Sequence, residues 1–598
     1  MSMCLEQRTC TTTSGGAKMD ADYTKFFLKP DDLDDDFKFL SPARKDIEFE
    51  HLIDGIPTFK ATEEAIFSAK KNIYISFWIF NPKTPVSSKK VRSEGIKNWA
   101  SLLRIKAANS VRVHVYLNDF DPIFQNNLHQ YAWRSYRTLL KEAKSLAPDQ
   151  RENFQVISLH NDATVKTGIQ DKLEGSLVRI IENLNKTLKK NSKTALYQYS
   201  NMPGLWSLIY YSRKKNNFSL TKHDSLTAYP AAHHQKFCVI DDSFVICGGL
   251  DVNKGRMDTP KHNSRVTSWH DINCMMRGEI AADVARNFVG IWNRGLPRFK
   301  SFLSAVNQQN KIVSLPLSKV GPLKFSFPQK IGTKGKAIIQ LHRTLSVEGV
   351  WTVPSNVRDD IAKAYENAIE QANKFIYIEN QYVRSERLTQ WIIKKYNEKH
   401  NLQVIIVLPV APEEVAQKGG TDEITMHGLY LQHKILTELK LKLGKNIGLY
   451  SMIKRSAAEK AHPTNMFGSY QIYVHSKTMI VDDKYVIIGS ANTNERSFQV
   501  DTELNVGVYD PEKVKRFRLR LWFELLGTPI DKWKSDEFVR NWEAHALANT
   551  KRSPNTRKGF IVPHDKEKFV GKKGTWIPDE FAQIFDLDVQ KNGDIEIA

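Results

Sequence analysis

The chain has 598 residues, of which 41% are hydrophobic and 26% are charged, and its formal net charge at pH 7 is +21. This length exceeds what one hydrophobic core usually serves, so we expect a globular protein of two domains or lobes. The positive charge favours a polyanionic partner, either an anionic lipid surface or a nucleic acid. Five cysteines without a C-x-x-C pair argue against a complete disulfide framework and against a cysteine metal site.

The N-terminal residues are predicted to be an extension of the fold. Residues 1–45 begin rich in Ser, Thr and Gly and contain the acidic cluster 31–36 (DDLDDD). This composition is typical of a solvated, partly disordered leader. A calcium site in the cluster would need a ligand spacing that the sequence does not have.

The sequence contains no stretch with the length and apolarity of a membrane span. The most apolar run, 404–410 (VIIVLPV), is far shorter than the roughly 20 residues required. The first residues also lack the apolar core of a cleavable secretory signal. We therefore expect a soluble or peripheral membrane protein of unknown compartment, and export as a bacterial effector by a specialised secretion system stays open.

Beyond the extension, helix-like and strand-like segments alternate. Residues 61–71 predict a helix, and 72–80 and 111–117 predict buried strands rich in β-branched and aromatic residues. This alternation is typical of an α/β fold with a largely parallel sheet. The more polar segments 148–195 and 210–225 are predicted to be helices and surface loops.

The two halves of the chain repeat one another. Residues 65–75 (AIFSAKKNIYI) match 368–378 (AIEQANKFIYI), and 234–253 match 475–494 at a constant offset of 241 residues. A constant offset over many matches indicates internal duplication. We therefore predict an N-terminal lobe over 46–320 and a C-terminal lobe over 321–598 that ends in a basic segment, joined by a stretch rich in Lys, Pro and Gly.

The best-matched part of the repeat is a motif of the form H-x-K-x4-D-x6-G. The alternation of a strand places His and Lys of each copy on one face, so that an imidazole and an ammonium project side by side. The aspartate falls at the next turn, and the glycines end the following strand. The motif residues are His234, Lys236, Asp241, Gly248 and Gly249 in the first copy and His475, Lys477, Asp482, Gly489 and Ser490 in the second.

Two such copies supply what cleavage of a phosphodiester needs. One neutral His can attack phosphorus, and the other, protonated, can donate a proton to the leaving oxygen. Two lysines can hold the phosphoryl oxygens as point charges, so we predict no metal and no other cofactor. Asp271 and Glu503 follow the two motifs, and we predict that each hydrogen-bonds one catalytic His.

These residues resemble the signature of the phospholipase D superfamily, also called the HKD family. The surrounding sequence is more similar to the plant, animal and related bacterial phospholipases D than to the small nucleases. The likeness covers about residues 60–550 and is carried by HHQKFCVIDDSFVICGGLDVNKGRMDT, SWHDI, IYIENQY, YVHSKTMIVDDKYVIIGSANTNERS and LRLWFELLG.

The resemblance implies a two-lobed α/β/α fold with one pseudo-twofold active site between duplicated lobes. It implies a phosphohistidine intermediate on His234, with His475 as general acid and later as the group that activates water. It also implies that Lys236, Lys477 and Asn492 bind the phosphate. Asp251 stands where the duplication predicts Asn, and we do not expect it to contact the phosphate.

The activity that the resemblance implies is hydrolysis of a glycerophospholipid, such as phosphatidylcholine, to phosphatidic acid and the free head group. An alcohol in place of water would give transphosphatidylation. The alternatives are a phosphatidyltransferase of the cardiolipin or phosphatidylserine synthase type and a nuclease, which suits the charge but not the GGLD and WHD-like segments. A non-catalytic membrane-binding module is disfavoured because every core motif residue is present.

The expected partner is a phospholipid membrane surface of anionic character rather than a nucleic acid. Because the chain has no recognisable lipid-targeting domain, we expect docking through the catalytic unit itself. The candidates are the basic segments 213–215 and 550–573 and exposed aromatic residues near the cleft. We expect a monomer that is an internal pseudo-dimer.

Overall fold

Two arrays of seven strands with the same strand order form the framework of the protein. The computed structural model describes residues 21–29, 39–166, 169–263, 268–309, 320–328, 331–346, 349–350, 356–412, 415 and 423–573. The first array contains β1 (Arg44–Ile53), β2 (Asn72–Phe77), β3 (Arg112–Asn118), β4 (Phe154–Leu159), β5 (Phe237–Ile240), β6 (Phe244–Gly248) and β7 (Ile272–Arg277). The second contains β8 (Ala337–Ser346), β9 (Phe375–Asn380), β10 (Gln403–Val407), β11 (Ile447–Ala457), β12 (Lys477–Val481), β13 (Tyr485–Gly489) and β14 (Glu503–Tyr509).

The strand order confirms the duplication. It is β4–β3–β2–β5–β6–β7–β1 in the first lobe and β11–β10–β9–β12–β13–β14–β8 in the second. In each lobe the first three strands are parallel and the remaining neighbours are antiparallel. The expectation of a largely parallel sheet was therefore wrong, because each His-x-Lys motif enters the sheet as an antiparallel hairpin. Strand β1 also pairs with β8, which makes one continuous sheet of both arrays.

Helices cover the sheet, and for this reason the central strands β2 and β9 are buried at every residue. The helices of the first lobe are Gly55–Ser68, Lys89–Ser93, Trp99–Ala108, Asn126–Lys144, Gln170–Lys190, Ser192–Ser200 and Glu279–Gln309. Those of the second are Asp360–Glu370, Glu386–Glu398, Glu423–Leu443, Pro511–Leu526 and Phe538–Thr550. In the described part of the chain, none of the helices has the length and apolarity to cross a membrane.

Short elements complete the fold and connect the lobes. Strand Ser268–His270 of the first lobe pairs in parallel with Ser469–Val474 of the second, and this contact brings the two motifs together. The other short strands are Ala163–Thr164, Ile209–Ser212, Asn217–Leu220, Gly349–Val350, Asn356–Asp359 and Ile561–Pro563. Single turns of 3-10 helix lie at Ala21–Phe26, Arg151–Asn153, Pro203–Leu205, Lys254–Arg256, Gly444–Asn446, Ser535–Glu537 and Pro554–Thr556, and a π-helical turn at Arg496–Val500.

Two polar segments differ from their predictions. The described part of the extension, 21–29, is not a solvated leader: Phe26 and Phe27 are buried against Tyr485 of the second lobe. The segment 210–225 contains a β-hairpin rather than only helices and loops. The acidic cluster 31–36 and much of the stretch that joins the lobes lie outside the described residues, and the lobe boundaries stay predictions.

Candidate active site

Each motif histidine is bonded to a carboxylate of the other lobe. His234 Nδ1 donates to Glu503 Oε1 over 2.8 Å, and His475 Nδ1 donates to Asp271 Oδ2 over 2.8 Å. When the carboxyl group is ionised it can only accept, so the hydrogen then lies on Nδ1 and the lone pair of each neutral ring lies on Nε2. The predicted pairing of these two carboxylates with the two histidines is present in the structure, and it crosses between the lobes.

The backbone repeats the same crossing. His234 N donates to Thr502 O and His475 N donates to His270 O, each over 2.8 Å. Each histidine is therefore tied to the residue that precedes its carboxylate partner. Neither half can place its imidazole without the other, which gives one shared site instead of two.

The motif lysines are completely enclosed by the protein. Lys236 Nζ donates to His234 O over 3.0 Å and lies 3.7 Å from Asp251 Oδ2. Lys477 Nζ donates to the carbonyl of His475 and, over 2.9 Å, to Gln381 Oε1. Each ammonium thus contacts the backbone of its own motif histidine. Buried ammonium groups of this kind are suited to an anion that binds between them.

Asn492 lies in the wall of a pocket that opens onto His234. Its backbone N–H donates to Ser497 Oγ over 3.0 Å, and its buried Oδ1 has no hydrogen bond among the described residues. The pocket is lined by Trp78, Asp119, Phe120, Asp121, Gln125, Pro230, Ala231, Ala232, His234, Tyr382, Asn492, Asn494, Arg496, Ser497 and Asp501. Residues of both lobes therefore form the space next to the first motif histidine.

Burial makes charge costly throughout this site. It lowers the pKa of His234 to about 3, with a further lowering from Lys236, and it lowers the pKa of His475 well below its usual range. Burial also raises the pKa of Asp271 and of Glu503 to about 7, against the opposing effect of the lysines. Both imidazoles are thus neutral at pH 7, and either can take up a proton only when a bound anion balances the added positive charge.

The aspartates of the motifs tie the motif hairpins to the beginning of the central strands β2 and β9. Asp241 accepts the backbone N–H groups of Lys70, Lys71 and Asn72, and Asp482 accepts those of Asn373, Lys374 and Phe375. Both aspartates have left-handed backbones, with φ of 54° and 52°, which Asp tolerates better than most residues. They shape the hairpins and do not reach the histidines.

The small residues at the ends of β6 and β13 leave room for the carboxylates. A Cβ at Gly249 would collide with the Asp271 carboxylate and approach His475 O to 3.0 Å. The equivalent residue in the second lobe, Ser490, donates to Glu503 Oε2 over 2.5 Å. A Cβ at Gly248 or Gly489 would collide with Asn273 or Asn505 on the neighbouring strand.

Sequence reasoning missed several side chains around the histidines. Trp78 and Trp269 pack edge-on against His234 and His475, with ring centroids 5.2 and 5.3 Å apart. Ser497 Oγ donates to Glu503 Oε1 over 2.7 Å. Trp269 stands beside Asp271 in the SWHDI segment, so its position was available as a signal, whereas Ser497 comes from a π-helical turn that no sequence pattern indicated.

The amino-acid sequence is similar to that of known phospholipases D. A family model described as Phospholipase D matches residues 263–436 and 449–547, a range that includes Asp271, the second motif and Glu503. Phospholipase D alpha 2 of Arabidopsis thaliana is 29% identical over 409 residues, which are 49% of each chain. Phospholipase D alpha 1 of Cynara cardunculus is 28% identical over 487 residues, 58% of this chain and 59% of that one. The chain spans about half the length of the curated relatives it matches.

A solved structure also aligns with the chain. Phosphatidylserine synthase of Haemophilus influenzae Rd KW20 gives a TM-score of 0.45 at 15% sequence identity, over 85% of this chain and 97% of that chain.

The fold and the site define a duplicated α/β protein in which two His-x-Lys motifs share one buried centre. The chain belongs to the phospholipase D superfamily, as its motifs predict, and thus to a family of enzymes that act on phosphodiester bonds.

Proposed function

We propose that the chain is a phospholipase D that hydrolyses a glycerophospholipid, such as phosphatidylcholine, to phosphatidic acid and the free head group. The observation that carries the proposal is the pair of crossed hydrogen bonds from His234 and His475 to Glu503 and Asp271. They fix two neutral imidazoles in the tautomer that leaves Nε2 available, one for attack and one for proton transfer.

In the proposed reaction, His234 Nε2 attacks phosphorus and the bond to the head-group oxygen breaks. His475, protonated once the phosphate anion is bound, gives its proton to that oxygen. The phosphate supplies the negative charge that the buried site lacks, and it therefore raises the pKa of a neighbouring imidazole. Neutral His475 then takes a proton from water, whose oxygen attacks phosphorus and releases His234 and phosphatidic acid. An alcohol in place of water would give a transferred phosphatidyl group.

Lys236, Lys477 and Asn492 are the proposed ligands of the phosphoryl oxygens. Two ammonium groups and an amide stabilise the charge that develops on these oxygens without reorganising in the transition state. The aromatic lining of the pocket by Trp78, Phe120 and Tyr382 suits a head group with a quaternary ammonium, which binds over aromatic faces. This lining is our reason for choosing phosphatidylcholine as the first substrate to test.

The β-hairpin at 209–220 is the proposed membrane contact. Tyr210 and Leu220 are 56% and 43% exposed, and the basic turn 213–215 lies between the two strands. The preceding turn connects the hairpin to the pocket wall, because Gly204 N donates to His129 and His129 donates to Asp119. A basic turn whose flanking strands carry exposed aromatic and aliphatic side chains is suited to the interface of an anionic bilayer.

The test of the activity is choline release from vesicles of phosphatidylcholine with an anionic lipid, with DNA as a parallel substrate and ethanol in a further sample. We expect choline release and, with ethanol, phosphatidylethanol. His475→Asn should reduce release by about 10³-fold or more, whereas His233→Asn should stay within about tenfold of wild type. His233 is a matched control because it is buried beside His234 and its ring nitrogens have no hydrogen bond among the described residues.

The outcomes separate the alternatives. Equal rates for His475→Asn and wild type would refute the site, and cleavage of DNA without choline release would indicate a nuclease. Transfer to ethanol without hydrolysis would indicate a phosphatidyltransferase.

The docking role of the hairpin is tested by vesicle binding. The double variant Lys214→Glu with Tyr210→Ser should reduce vesicle binding more than Lys551→Glu with Arg552→Glu in the other basic segment. The reverse order would assign docking to that segment.

A further inference from the structure

A second group of ionisable side chains lies behind the active site. It consists of Asp54, His262, His270 and Glu524, whose ligand-type atoms all lie within 4.8 Å of one another. Asp54 precedes the helix Gly55–Ser68, His270 ends the strand that joins the lobes, and Glu524 lies on the helix Pro511–Leu526. The proposed reaction does not use any of these four residues.

Hydrogen bonds decide which atoms of the group are available. His270 uses both ring nitrogens, with Nδ1 2.9 Å from Asp54 Oδ1 and Nε2 3.1 Å from Glu379 Oε2. It therefore orients Asp54 and is not a ligand. His262 Nδ1 donates to Asp258 Oδ2 over 3.0 Å, so its lone pair lies on Nε2.

Three ligand-type atoms remain, and none of them has a hydrogen bond to a residue outside this group in the described part of the chain. They are Asp54 Oδ2, His262 Nε2 and Glu524 Oε1, all shielded from solvent. Asp54 Oδ2 and His262 Nε2 are 3.7 Å apart. Asp54 and His262 are also almost completely buried. The Asp54 and Glu524 carboxyl groups contact each other through a hydrogen bond, which needs a proton on one of them. A bound cation would take the place of that proton and would also satisfy His262 Nε2, a buried acceptor that otherwise has no donor among the described residues.

We propose that Asp54, His262 and Glu524 bind one divalent transition-metal ion of the Zn²⁺ class, with water at the fourth position. One imidazole and two carboxylates are the donor set that Zn²⁺ takes in tetrahedral sites. The pair Asp258–His262 has the carboxylate–histidine–metal arrangement that fixes the tautomer of a ligand. A softer or larger set of donors would be needed for Cu⁺ or Ca²⁺.

The other cluster of this kind, Asp119, His129 and His160, supports the choice by contrast. Both oxygens of Asp119 accept hydrogen bonds, from His129 Nδ1 over 2.7 Å and from Trp133 Nε1 over 2.9 Å. His129 Nε2 accepts from Gly204 N, and His160 Nε2 bonds to Phe120 O. This cluster is satisfied by its protein partners and does not need an ion.

The proposed ion would act as a positioning element. Asp54 N donates to Asp271 O over 2.8 Å, and Asp271 N donates to Asp54 Oδ1 over 3.2 Å. Fixing Asp54 therefore fixes the carboxylate that holds His475. The ion departs from the prediction that the protein uses no metal, but it would not contact the substrate. The inference therefore stands independently of the proposed activity.

The experiment measures metal content of the tag-free full chain, expressed in zinc-supplemented medium and dialysed. We expect about one zinc per chain in the wild type, and loss of zinc in His262→Gln and in Glu524→Gln, with folding checked by circular dichroism. Asp258→Asn should keep the site but weaken zinc binding by about 10–100-fold. His129→Gln, from the satisfied cluster, is the matched control and should keep its zinc.

Two further measurements on wild-type protein do not depend on any variant folding. After chelation, added Zn²⁺ should raise Tm, and added Co²⁺ should give the intense visible absorption of a tetrahedral site. Wild type that contains no zinc after dialysis, and whose Tm does not respond to Zn²⁺, would overturn the proposal. Zinc retained equally by His262→Gln, Glu524→Gln and wild type would overturn it as well.

Discussion

The first and second motifs occupy equivalent places in the two lobes but surround their lysines differently. Lys236 lies 3.7 Å from Asp251 and 5.5 Å from the centre of the Trp78 ring. Lys477 donates to the neutral amide of Gln381, and Asn492 stands at the position equivalent to Asp251. The motif lysine of the first half thus lies near a carboxylate at position 251, whereas the equivalent position of the second half carries a neutral amide. Duplication preserved the geometry of the site while the two halves diverged in electrostatics.

The largest expected effect comes from comparing the two histidines. His234→Asn should reduce turnover of phosphatidylcholine by about 10⁴-fold or more, and His475→Asn by about 10³-fold or more. In a phosphatidyl ester of p-nitrophenol, the leaving group is nitrophenolate, which does not need a proton from a general acid. With this substrate, His475→Asn should therefore release a burst of nitrophenolate and accumulate phosphohistidine at position 234. Mass spectrometry of the trapped protein checks the assignment. A burst from His234→Asn instead would mean that His475 is the nucleophile and His234 the general acid.

The carboxylates should show the same asymmetry through the crossed bonds, with a smaller effect. Glu503→Gln and Asp271→Asn should each lower kcat/KM on phosphatidylcholine by about 10–10³-fold, because the imidazoles lose their orientation. With the nitrophenyl ester, the burst should recover in Asp271→Asn, which acts through His475, and not in Glu503→Gln, which acts through His234. Recovery in the opposite variant would contradict the pairing between lobes.

Exchanging the residues at 251 and 492 tests the difference in charge directly. Asn492→Asp should lower kcat/KM by about tenfold or more, because a carboxylate in the pocket wall near His234 repels the phosphate. Asp251→Asn should change kcat/KM by less than about threefold, because the amide oxygen can still accept from Ile79 N and residue 251 is not expected to contact the phosphate. Kinetics with short-chain phosphatidylcholine measure both. A larger loss of kcat/KM in Asp251→Asn than in Asn492→Asp would indicate that the phosphate binds next to residue 251 of the first half.

The sequence was sufficient for the motifs and for the equivalence of the two lobes, since matching residues at a constant offset require matching strands. It did not predict the antiparallel hairpins that carry the motifs. Asp271 and Glu503 were also foreseen as partners of the histidines. Their crossing between lobes was not, because sequence proximity to a motif does not say which of two related surfaces a side chain faces. Ser497 and Gln381 come from positions where the halves differ, and a duplication argument is silent at such positions. Asp54, His262 and Glu524 are far apart in the chain, and only the packing of helix Pro511–Leu526 against the first lobe brings them together.

The smallest expected effect concerns stability and its dependence on pH. Burial raises the pKa of Glu503 from 4.5 to about 7, so the folded protein keeps a proton that the unfolded chain has lost between these values. The carboxyl therefore costs stability as pH rises from about 4.5 to 7, and the cost is complete above 7. The shift of 7 − 4.5 corresponds to about 3 kcal/mol as an upper bound. Glu503→Gln should therefore raise Tm by a few degrees at pH 8 and less at pH 5, as should Asp271→Asn, since the pKa of Asp271 is also raised to about 7. Thermal unfolding of both variants and wild type from pH 5 to pH 8 checks this, and a Tm difference that is constant across the range would show that burial of these carboxylates carries no proton-linked cost.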